Sequence, residues 1–525
     1  MLKSLFNKLS RPLGLADALV ALCLVTLTLQ VFPDFARDPG VGWHLKSGEY
    51  IWLNGSVPKI DPFLASAVPR AWVSDQWLSD LILFLSFKAG GWPALYLFII
   101  SAIGVTYFVV LYSAVARISG YKLLSAAAMV VAFKLGQVHF ILRPVPLSFF
   151  FFSIVIIWLY DVLRNARSGR CIISNKSIAA ITLTFLVWAN IHPSFIMGLV
   201  MMALLLIAGE LDLFLLRNNW VLVDGLRRKL LLALLLCLLA TFVNPYMGDL
   251  HQSILSLGQS EYFMNLHEEW HSPDFKEFVG NLVKLSLACI ALALWLDRER
   301  KLGWGAFELI SLALLFNMSF NAVRIFPFLG IAMAVPLTEA LALVLNTLSA
   351  RMQTLQSLSP YLSRLEMREG RTNMGRLVIV LLGVWLWYGV IYQGQIGFFK
   401  GPWGPPSERF PYGATAYLLE AQKQSNSGDF VVVATPDWGG FITFLGEGKV
   451  NAIIDDRNTL IGEAFHRSYM ENVRTLGEWK SFLKSVKATH LMLSTKDSSF
   501  EQYLEKSREL PMVFKDNVAA VFKYE

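Results

Sequence analysis

Long apolar runs constrain this sequence more than any other feature. Runs close to spanning length lie near residues 13–33, 92–115, 146–163, 195–216, 229–243, 281–296, 304–319, 325–346 and 377–394. Two shorter runs, 123–138 and 178–191, are long enough to cross a bilayer with some tilt or thinning. The sequence therefore predicts a multi-span α-helical membrane protein with about 11 transmembrane helices, which argues against a cytosolic enzyme.

Two further apolar segments need a separate interpretation. The N-terminus is basic and leads into an apolar run from Leu13 to Phe32, as in a signal peptide, but no small-residue cleavage site follows. We interpret this run as a retained first span. The run from Trp77 to Phe87 is too short to span, so it predicts a helix that lies at the outer membrane interface.

Charged residues divide the chain into two parts. Residues 398–525 contain 31 charged residues in 128, whereas residues 1–397 contain 54 in 397. This difference is expected between a globular domain in water and helices in a bilayer. We therefore predict a transmembrane domain over residues 1–397, with an outer loop at 34–91, and a second domain over residues 398–525.

The second domain alternates between two patterns. Short apolar runs predict strands at 430–434, 451–455, 490–494, 512–515 and 518–523. Helical patterns lie near 464–473, 476–486 and 500–510. This alternation is typical of a small α/β domain. Gly439 and Gly440 predict a tight turn, with a close backbone approach to a ligand as the alternative. No glycine-rich phosphate loop of nucleotide-binding spacing is present.

The basic residues of the loops predict the orientation of the chain. If the N-terminus is cytoplasmic, the inner loops contain most of the Lys and Arg, including Arg164, Arg167, Arg298 and the segment from Arg351 to Arg376. This satisfies the positive-inside rule, and an odd number of spans places the C-terminal domain on the extracytoplasmic side. The net charge of +7 reflects these loops, so we predict no nucleic-acid partner.

Polar side chains collect in the first outer loop. They include Asp34, Asp38, Trp43, His44, Asp61 and Trp77. Carboxylates beside aromatic and cationic groups at a membrane edge suit a site that deprotonates a hydroxyl, stacks a sugar ring and holds a phosphate. The alternative is an interfacial belt, because Trp collects at membrane interfaces and Asp-Pro pairs begin turns.

Three more outer positions place cations next to apolar runs, namely Arg143, His192 and Arg324. Ionisable groups at membrane depth are expensive and mark functional sites. Two arginines aimed at one cavity would clamp a phosphate or diphosphate. The alternatives are a hydrogen-bonded helix cap for His192 and a snorkelling anchor for each arginine.

One motif match is literal. The segment from His267 to His271 fits the H-E-x-x-H pattern, in which two histidines on a helix bind zinc. Pro273 follows two residues later and the surrounding segment is loop-like, so we discount a zinc protease. The four cysteines form neither a disulfide framework nor a metal-binding pattern. No metal-ligating residues are predicted.

The motifs and their order resemble a known enzyme class. Asp38-Pro39-Gly40-Val41-Gly42-Trp43-His44-Leu45, followed by Gly48, resembles the D-P-D-x-W-W-H-L-x-x-G opening of a bacterial group of GT-C integral-membrane glycosyltransferases. Further matching segments are Asp61-Pro62-Phe63, Gln76-Trp77-Leu78, Arg143-Pro144, Asn190-Ile191-His192, Asn244-Pro245-Tyr246, Glu269 to Asp274, Asn321 to Pro327, Trp438 to Phe441 and Asp455-Asp456-Arg457. The resemblance covers nearly the whole chain, but Gly40 replaces the group's second Asp and Gly42 replaces its first Trp.

The resemblance implies a reaction and a set of roles. A sugar would pass from a polyprenyl-phosphate carrier to a glycan, lipid or protein acceptor, with inversion, at the outer face of a bacterial cytoplasmic (inner) membrane, whose lipids are further partners. The implied base is Asp38, with Asp34 and Asp61 as alternates. The implied ligands of the donor phosphate are Arg143, Arg324, His192 and His44. The implied contacts to acceptor or sugar are Trp43, Trp77, Glu269 and Trp270. No cofactor is required, and a divalent metal is optional.

Other classes stay open at this point. A transporter also buries polar residues in a bundle, but it should have broken spans near the midplane and repeated halves, whereas these polar residues gather at one face. A lipid-linked glycan ligase or polymerase is a nearer alternative, although its large outer loop is expected late in the chain. A membrane metalloprotease depends on the zinc motif alone.

Overall fold

The computed structural model describes residues 14–16, 18–19, 22–23, 35–66, 68–169, 173–212, 224–351, 358–370, 403–425, 428–496 and 499–524. The predicted span at 377–394 lies outside these residues, and the span at 13–33 lies mostly outside them. Asp34 and the predicted domain boundary near Phe398 are also outside the described residues.

The described part of the N-terminal region is helical, as predicted. Its helices are Val41–Asn54, Trp77–Gly104, Tyr112–Ser119, Lys122–Gly136, Val145–Arg167, Asn175–Ile191, Phe195–Leu211, Asp224–Ala240, Gly248–Gln259, Glu261–Leu266, Phe278–Leu296, Ala306–Asn321, Phe326–Arg351 and Leu358–Gly370. A π-helical turn, Val105–Leu111, follows the second helix, and 3₁₀ turns cover Gln137–His139, Glu268–Trp270 and Val323–Ile325.

Four helical stretches in the described residues are long and apolar enough to cross a membrane: Trp77–Ser119, Val145–Arg167, Phe278–Leu296 and Val323–Arg351. Two apolar helices, Phe195–Leu211 and Ala306–Asn321, are shorter. At about 1.5 Å per residue, a helix of this shorter kind is roughly 25 Å long, close to the thickness of the hydrocarbon core. The chain is a membrane protein, and the count of eleven spans stays a prediction.

Two glycines interrupt the helix that begins at Trp77. Gly91 has φ 64° and ψ −155°, a conformation that other residues rarely adopt, and Gly90 beside it is also non-helical. Pro93 follows at the start of the next helical segment, where its missing N–H costs no hydrogen bond. The predicted short helix and the predicted span at 92–115 therefore follow each other directly in the chain, and the break at Gly90 and Gly91 divides them.

The helix Phe326–Arg351 lies at the centre of the bundle. It packs against Lys122–Gly136 and Phe278–Leu296, and most of its residues are buried. A Cβ atom on Gly330 would lie 3.0 Å from the backbone of Ala132, so a side chain at residue 330 would require the two helices to move slightly apart. Small residues at helix contacts are how membrane bundles gain packing energy.

Some helices expose leucine to the outside of the bundle. On Asp224–Ala240, the side chains of Leu231, Leu235, Leu238 and Leu239 are exposed. A row of exposed leucines is unfavourable in water but is the expected surface of a helix that faces lipid.

The C-terminal region contains a five-stranded mixed sheet, which confirms the predicted small sheet. Its strands are β1 (Phe430–Val433), β2 (Val450–Ala452), β3 (His490–Ser494), β4 (Met512–Lys515) and β5 (Ala519–Lys523), in the order β2-β1-β3-β5-β4. β1 is parallel to β2 and β3, whereas β5 is antiparallel to β3 and β4. Most buried positions of β1 and β3 carry Val, Leu, Met or Phe, with His490 as a buried polar exception, which suits central strands covered by helices.

The helices that cover this sheet are Tyr412–Gln424, Pro436–Leu445, Asn458–Ile461, Glu463–Tyr469, Trp479–Ser485 and Ser499–Ser507. Gly439 and Gly440 lie inside the second of these helices, so the predicted tight turn is wrong. A Cβ atom on Gly439 would lie 1.9 Å from the carbonyl oxygen of Ile454. Glycine is needed here for close packing of the helix.

The first outer loop packs with the C-terminal region. Trp43, Leu64 and Trp72 belong to the same hydrophobic cluster as the interior of the sheet domain. The backbone N–H of Ala65 donates to the carbonyl oxygen of Ala452, at the end of β2, at 2.8 Å. The loop and the sheet domain therefore form one packed unit at the end of the helical bundle.

Candidate functional site

Asp38, Arg143 and Asp456 form a charged group that we name the Arg143 cluster. Arg143 Nε donates to Asp38 Oδ1 at 2.5 Å, and Arg143 Nη2 donates to Asp456 Oδ2 at 2.5 Å. Burial raises the pKa of Asp456, and the negative charge of Asp38 acts in the same direction, whereas Arg143 opposes both. One guanidinium thus holds two carboxylates from opposite ends of the chain.

Local backbone structure explains how Arg143 reaches Asp38. The N–H of Gly40 donates to Asp38 Oδ1 at 2.8 Å, in a turn that leads into the helix Val41–Asn54. The N–H of Leu142 donates to the carbonyl oxygen of Phe35 at 3.0 Å, which fixes the Arg143 segment to the first loop.

Trp43 and His44 follow in the first turn of that helix. Trp43 Nε1 donates to Asp456 Oδ1 at 2.8 Å, and the indole is buried. His44 Nδ1 lies 2.6 Å from Asp80 Oδ1, and both of these side chains are buried. Burial, followed by the positive charge of Arg143, lowers the pKa of His44 to about 3, so its ring is neutral near pH 7.

Arg324, Glu269, Trp270 and His139 form a second group, which we name the Arg324 cluster. Arg324 Nη1 donates to Glu269 Oε1 at 3.0 Å, and its guanidinium carbon lies 4.0 Å from the centre of the Trp270 ring. His139 Nδ1 lies 4.0 Å from Glu269 Oε2. His139 Nε2 is buried and has no hydrogen-bond partner among the described residues.

The two clusters influence each other electrostatically. Burial raises the pKa of Glu269, but Arg324, His139 and Arg143 together lower it below its ordinary value. Burial lowers the pKa of His139 to about 4, against the opposing effect of Glu269, and Arg143 contributes to the lowering. The charge of Arg143 therefore acts on both clusters, which lie at the same end of the bundle.

His192 lies beside the Arg324 cluster, and one of its two ring nitrogens accepts a hydrogen bond from a neighbouring residue in the chain. Its Nδ1 accepts the backbone N–H of Ser194 at 3.1 Å, so the neutral ring carries its proton on Nε2. Burial, followed by the charge of Arg324, lowers the pKa of His192 to about 3. The Nδ1 side of this histidine supports the turn that begins the helix Phe195–Leu211.

Asp61 of the first loop is not a member of the Arg143 cluster and pairs instead with Arg457 of the C-terminal region. Its Oδ1 accepts a hydrogen bond from Arg457 Nη1 at 2.8 Å, and its Oδ2 accepts one from the N–H of Leu64 at 3.0 Å. Arg457 Nε also donates to Asp455 Oδ2 at 2.8 Å, and its guanidinium carbon lies 4.5 Å from the Trp72 ring centre. These contacts anchor the sheet domain on the first loop.

Trp77 lines an apolar groove of about 410 Å³. The groove is bounded by Trp77, Leu78, Leu186, Val187, Asn190, Val243, Asn244 and Pro245. Trp77 Nε1 donates to Asn190 Oδ1 at 2.7 Å. Asn190 is two residues from His192, so the groove lies next to the charged end of the bundle.

The zinc-like motif does not have the geometry of a zinc site. Glu268–Trp270 forms a 3₁₀ turn, whereas the motif requires an α-helix to bring its two histidines together. His267 Nε2 lies 2.5 Å from Asn458 Nδ2, and His271 Nε2 lies 2.9 Å from the carbonyl oxygen of Asn265. Within the ranges that the structure describes, no group of three or more His, Cys, Asp or Glu is arranged to hold a metal ion.

The structure thus divides the predicted residues into groups. Asp38, Arg143 and Trp43 meet in one cluster, and the residues predicted at 269, 270 and 324 meet in the other. Sequence reasoning did not assign Asp456, Asp80 or His139 to the site. Asp456 lies in the matched Asp-Asp-Arg motif of the C-terminal region, and this motif was its available signal.

Comparisons with known proteins place the fold. No protein-family model matches the chain, and no curated protein matches it. The archaeal oligosaccharyltransferase AglB from Archaeoglobus fulgidus, solved in complex with an inhibitory peptide and a dolichol-phosphate, matches with a TM-score of 0.57 at 11% sequence identity. That alignment covers 91% of this chain and 69% of AglB. The apo crystal structure of the Archaeoglobus fulgidus oligosaccharyltransferase matches with the same TM-score of 0.57, identity of 11% and coverage of 91% and 69%.

At this level of identity the likeness concerns the fold. It agrees with the described helices and with the resemblance to the GT-C class, whereas the narrower bacterial group stays a prediction. The chain is a membrane protein whose fold is similar to that of the archaeal oligosaccharyltransferase AglB.

Proposed function

We propose that this protein transfers a sugar from a polyprenyl-phosphate carrier to an acceptor at the outer face of the membrane, with inversion. The observation that carries the proposal is the Arg143 cluster, which places two carboxylates, Asp38 and Asp456, on one guanidinium at the end of an apolar bundle with the oligosaccharyltransferase fold. Ionisable groups at such a position are costly, and catalysis is a common reason for them.

Asp38 is the proposed base. Its Oδ1 accepts hydrogen bonds from Gly40 N–H and Arg143 Nε, and no hydrogen bond to its Oδ2 is found in the described part of the chain. That oxygen can take the acceptor proton while the acceptor atom forms its bond to the anomeric carbon. The bond from that carbon to the phosphate oxygen breaks, and the electron pair leaves with the polyprenyl phosphate.

The cations of both clusters supply the second part of the mechanism. Negative charge grows on the leaving phosphate in the transition state, and positioned donors that match this charge lower the barrier. Arg324 is the proposed principal phosphate ligand, because Nη1 is the one nitrogen of its guanidinium with a hydrogen-bond partner, Glu269, among the described residues. Arg143 adds positive charge nearby, since it acts electrostatically on Glu269 and His139. His192 is a proposed neighbour of the same phosphate through its Nε2.

The remaining predicted residues fit narrower roles. The apolar groove at Trp77 is a proposed binding site for part of the lipid carrier, because its lining is mostly hydrophobic and it lies next to the charged end of the bundle. AglB was solved with dolichol-phosphate and a peptide, which supports testing a lipid-linked donor and a protein acceptor first. Asp61 is the weaker alternate base, because both of its oxygens already accept hydrogen bonds.

The proposal requires the first loop and residues 398–525 to face the outside of the cell. Single cysteines introduced into a cysteine-free variant test this placement. Lys484→Cys, which is exposed in the C-terminal region, should react with an impermeant maleimide in intact cells. Arg298→Cys, in a predicted inner loop, should react only after permeabilisation. The reverse pattern contradicts the orientation and the proposed outer site.

Lipid analysis of a deletion strain tests the reaction itself. Loss of the transferase should cause a polyprenyl-phosphate-linked sugar to accumulate, and the wild-type chain should remove the accumulated lipid. Asp38→Asn should be inserted in the membrane at the normal level without removing it. Full removal by both Asp38→Asn and Asp61→Asn would overturn the mechanism, and an unchanged lipid profile in the deletion strain would overturn the donor class.

A further inference from the structure

Asp456 joins the catalytic end of the bundle from the far end of the sequence. Its two carboxylate oxygens have different partners: Oδ2 accepts from Arg143 Nη2 at 2.5 Å, and Oδ1 accepts from Trp43 Nε1 at 2.8 Å. Only 10% of its side chain is exposed, about as little as the 9% of Asp38. Both oxygens of Asp456 are therefore committed to neighbouring side chains, whereas Asp38 keeps one oxygen open.

The backbone of the C-terminal region lies directly against the first loop at this point. A Cβ atom on Gly42 would lie 2.1 Å from the carbonyl oxygen of Gly440, and one on Gly440 would lie 2.7 Å from the carbonyl oxygen of Pro39. Side chains at these positions would push the two segments apart. The close contact thus depends on glycine on both sides.

Gly40 lies between this contact and the Arg143 cluster. A Cβ atom there would lie 3.0 Å from Arg143 Nη2, 3.0 Å from Asp456 Oδ2 and 3.1 Å from Asp38 Oδ1. Position 40 therefore points into the middle of the Arg143 cluster. Both departures from the D-P-D-x-W-W-H-L motif, Gly40 and Gly42, lie where the C-terminal region contacts the loop.

A separate buried ion pair holds this arrangement in place. Arg457 and Asp61 pair at 2.8 Å, and each of these side chains is only 2% exposed. Since Arg457 directly follows Asp456, this pair fixes the backbone that presents the Asp456 carboxylate. Arg457 and Asp456 are thus neighbours in sequence with different partners. Arg457 anchors the segment on Asp61, whereas Asp456 contacts Arg143 and Trp43.

We propose that the C-terminal region completes the active site and that Asp456 is a positioning residue, which orients Arg143 and Trp43 beside Asp38. The guanidinium of Arg143 is held at Nη2 by Asp456 and at Nε by Asp38 Oδ1. In this arrangement Asp38 Oδ2 stays open and faces the acceptor. This inference rests on the proposed function. It assigns the sheet domain a direct part in catalysis.

The test compares Asp456→Asn with Asp437→Asn. Asp437 is an exposed carboxylate in the helix Pro436–Leu445, outside both clusters, so it controls for loss of charge in the same region. Initial transfer rates are measured in membranes with the lipid extract of the deletion strain as donor. Because misplacement of a catalytic group by about 1 Å can cost about 100-fold, Asp456→Asn should lower kcat by about 10- to 100-fold. KM and the thermal unfolding midpoint should change little, and Asp437→Asn should match the wild type.

A double-mutant cycle with Arg143→Gln separates positioning from general structural damage. If Asp456 acts mainly through Arg143, the loss of rate in the double variant should be clearly smaller than the product of the two single losses, because the two changes remove one shared interaction. The loss that Asp456→Asn adds to Arg143→Gln then reflects its contact with Trp43. Fully additive losses would overturn the inference, as would normal transfer by Asp456→Asn when Asp38→Asn is inactive. Normal transfer by Asp38→Asn would instead overturn the proposed function on which the inference rests.

Asp456→Glu covers the case in which the Asn variant fails to fold. It keeps the charge and can still reach Arg143, so it should retain more activity than Asp456→Asn. If the Glu and Asn variants lose folded protein and activity in equal proportion, Asp456 is merely structural and the inference fails.

Discussion

The two ends of the helix Val145–Arg167 each have an arginine with carboxylate partners, but the two arrangements differ. At the C-terminal end, Arg167 donates two hydrogen bonds to one carboxylate, that of Glu308, at 2.7 and 2.8 Å. Just before the N-terminal end, Arg143 is shared between two carboxylates, Asp38 and Asp456.

This difference separates a structural ion pair from a site that can react. A bidentate Arg–Glu pair balances its charge and uses both carboxylate oxygens, so it holds helices together and offers no free base. An arginine shared by two carboxylates leaves excess negative charge, and Asp38 keeps an oxygen without a hydrogen bond in the described part of the chain. Unbalanced charge in a buried cluster is costly, which is consistent with the function proposed for Asp38 and Arg143.

The largest effect that would test this contrast is expected at Asp38. A general base contributes about 10²- to 10⁴-fold, so Asp38→Asn should lower the transfer rate by that order because the amide cannot accept the proton. The amount of folded protein should be close to that of the wild type, since the amide oxygen still accepts the N–H of Gly40. Transfer assays in membranes measure the first quantity, and size-exclusion profiles in detergent measure the second.

The next effect concerns the Glu308 end and should affect stability. Glu308→Gln removes the carboxylate charge that accepts both hydrogen bonds from Arg167, and breaking a buried pair costs about 3 kcal/mol or more. The thermal unfolding midpoint should fall clearly, whereas transfer per folded molecule should stay normal. Asp161→Asn, which breaks the exposed Arg117–Asp161 pair, is the matched control and should cost less than about 1 kcal/mol. If Glu308→Gln and Asp38→Asn lose equal transfer activity per folded molecule, the distinction between a structural ion pair at Arg167 and a reactive site at Arg143 is wrong.

A smaller effect is expected from the Arg324 cluster. Arg324→Gln removes a cation assigned to the donor phosphate, and one charge-assisted hydrogen bond contributes about 1.5–3 kcal/mol. We therefore expect KM for the donor lipid to rise by about 10-fold or more, together with a drop in kcat. Arg409→Gln, at an exposed arginine of the C-terminal region, should leave both constants unchanged. An unchanged KM in Arg324→Gln would mean that other cations bind the donor phosphate.

The smallest expected effect is a pH dependence of stability that arises at the Arg143 end. His139 has a pKa of about 4 in the folded protein, whereas an unfolded histidine titrates near about 6.5. Between these values the unfolded chain binds a proton that the folded chain does not, so stability should fall as pH drops from about 6.5 to about 4. His139→Gln should make this part of the curve less steep, and His44 and His192, whose pKa values are lowered to about 3, should account for the slope that remains. Thermal midpoints between pH 4.5 and 7.5 measure it, and a curve of unchanged slope would contradict the assignment.

Much of the site could be predicted because its residues interrupt apolar runs. Arg143 and Arg324 stand out as cations beside spans, and Asp38 stands out in the first loop. His139 gave no such signal, since a single histidine after a helix has many ordinary explanations. Asp80 was equally hidden, because its buried partner, His44, is thirty-six residues away in sequence.

The sequence alone determined the helical bundle, its apolar character and the strands of the C-terminal sheet, because hydrophobic periodicity is a local property of the chain. The tertiary structure decided which charges meet. Asp38 and Asp456 share Arg143 only because glycine backbones at positions 42 and 440 allow the first loop and the C-terminal region to touch. This contact joins segments roughly four hundred residues apart in the sequence. No local sequence pattern predicts such a contact, because it depends on how the helices and the sheet pack together in three dimensions.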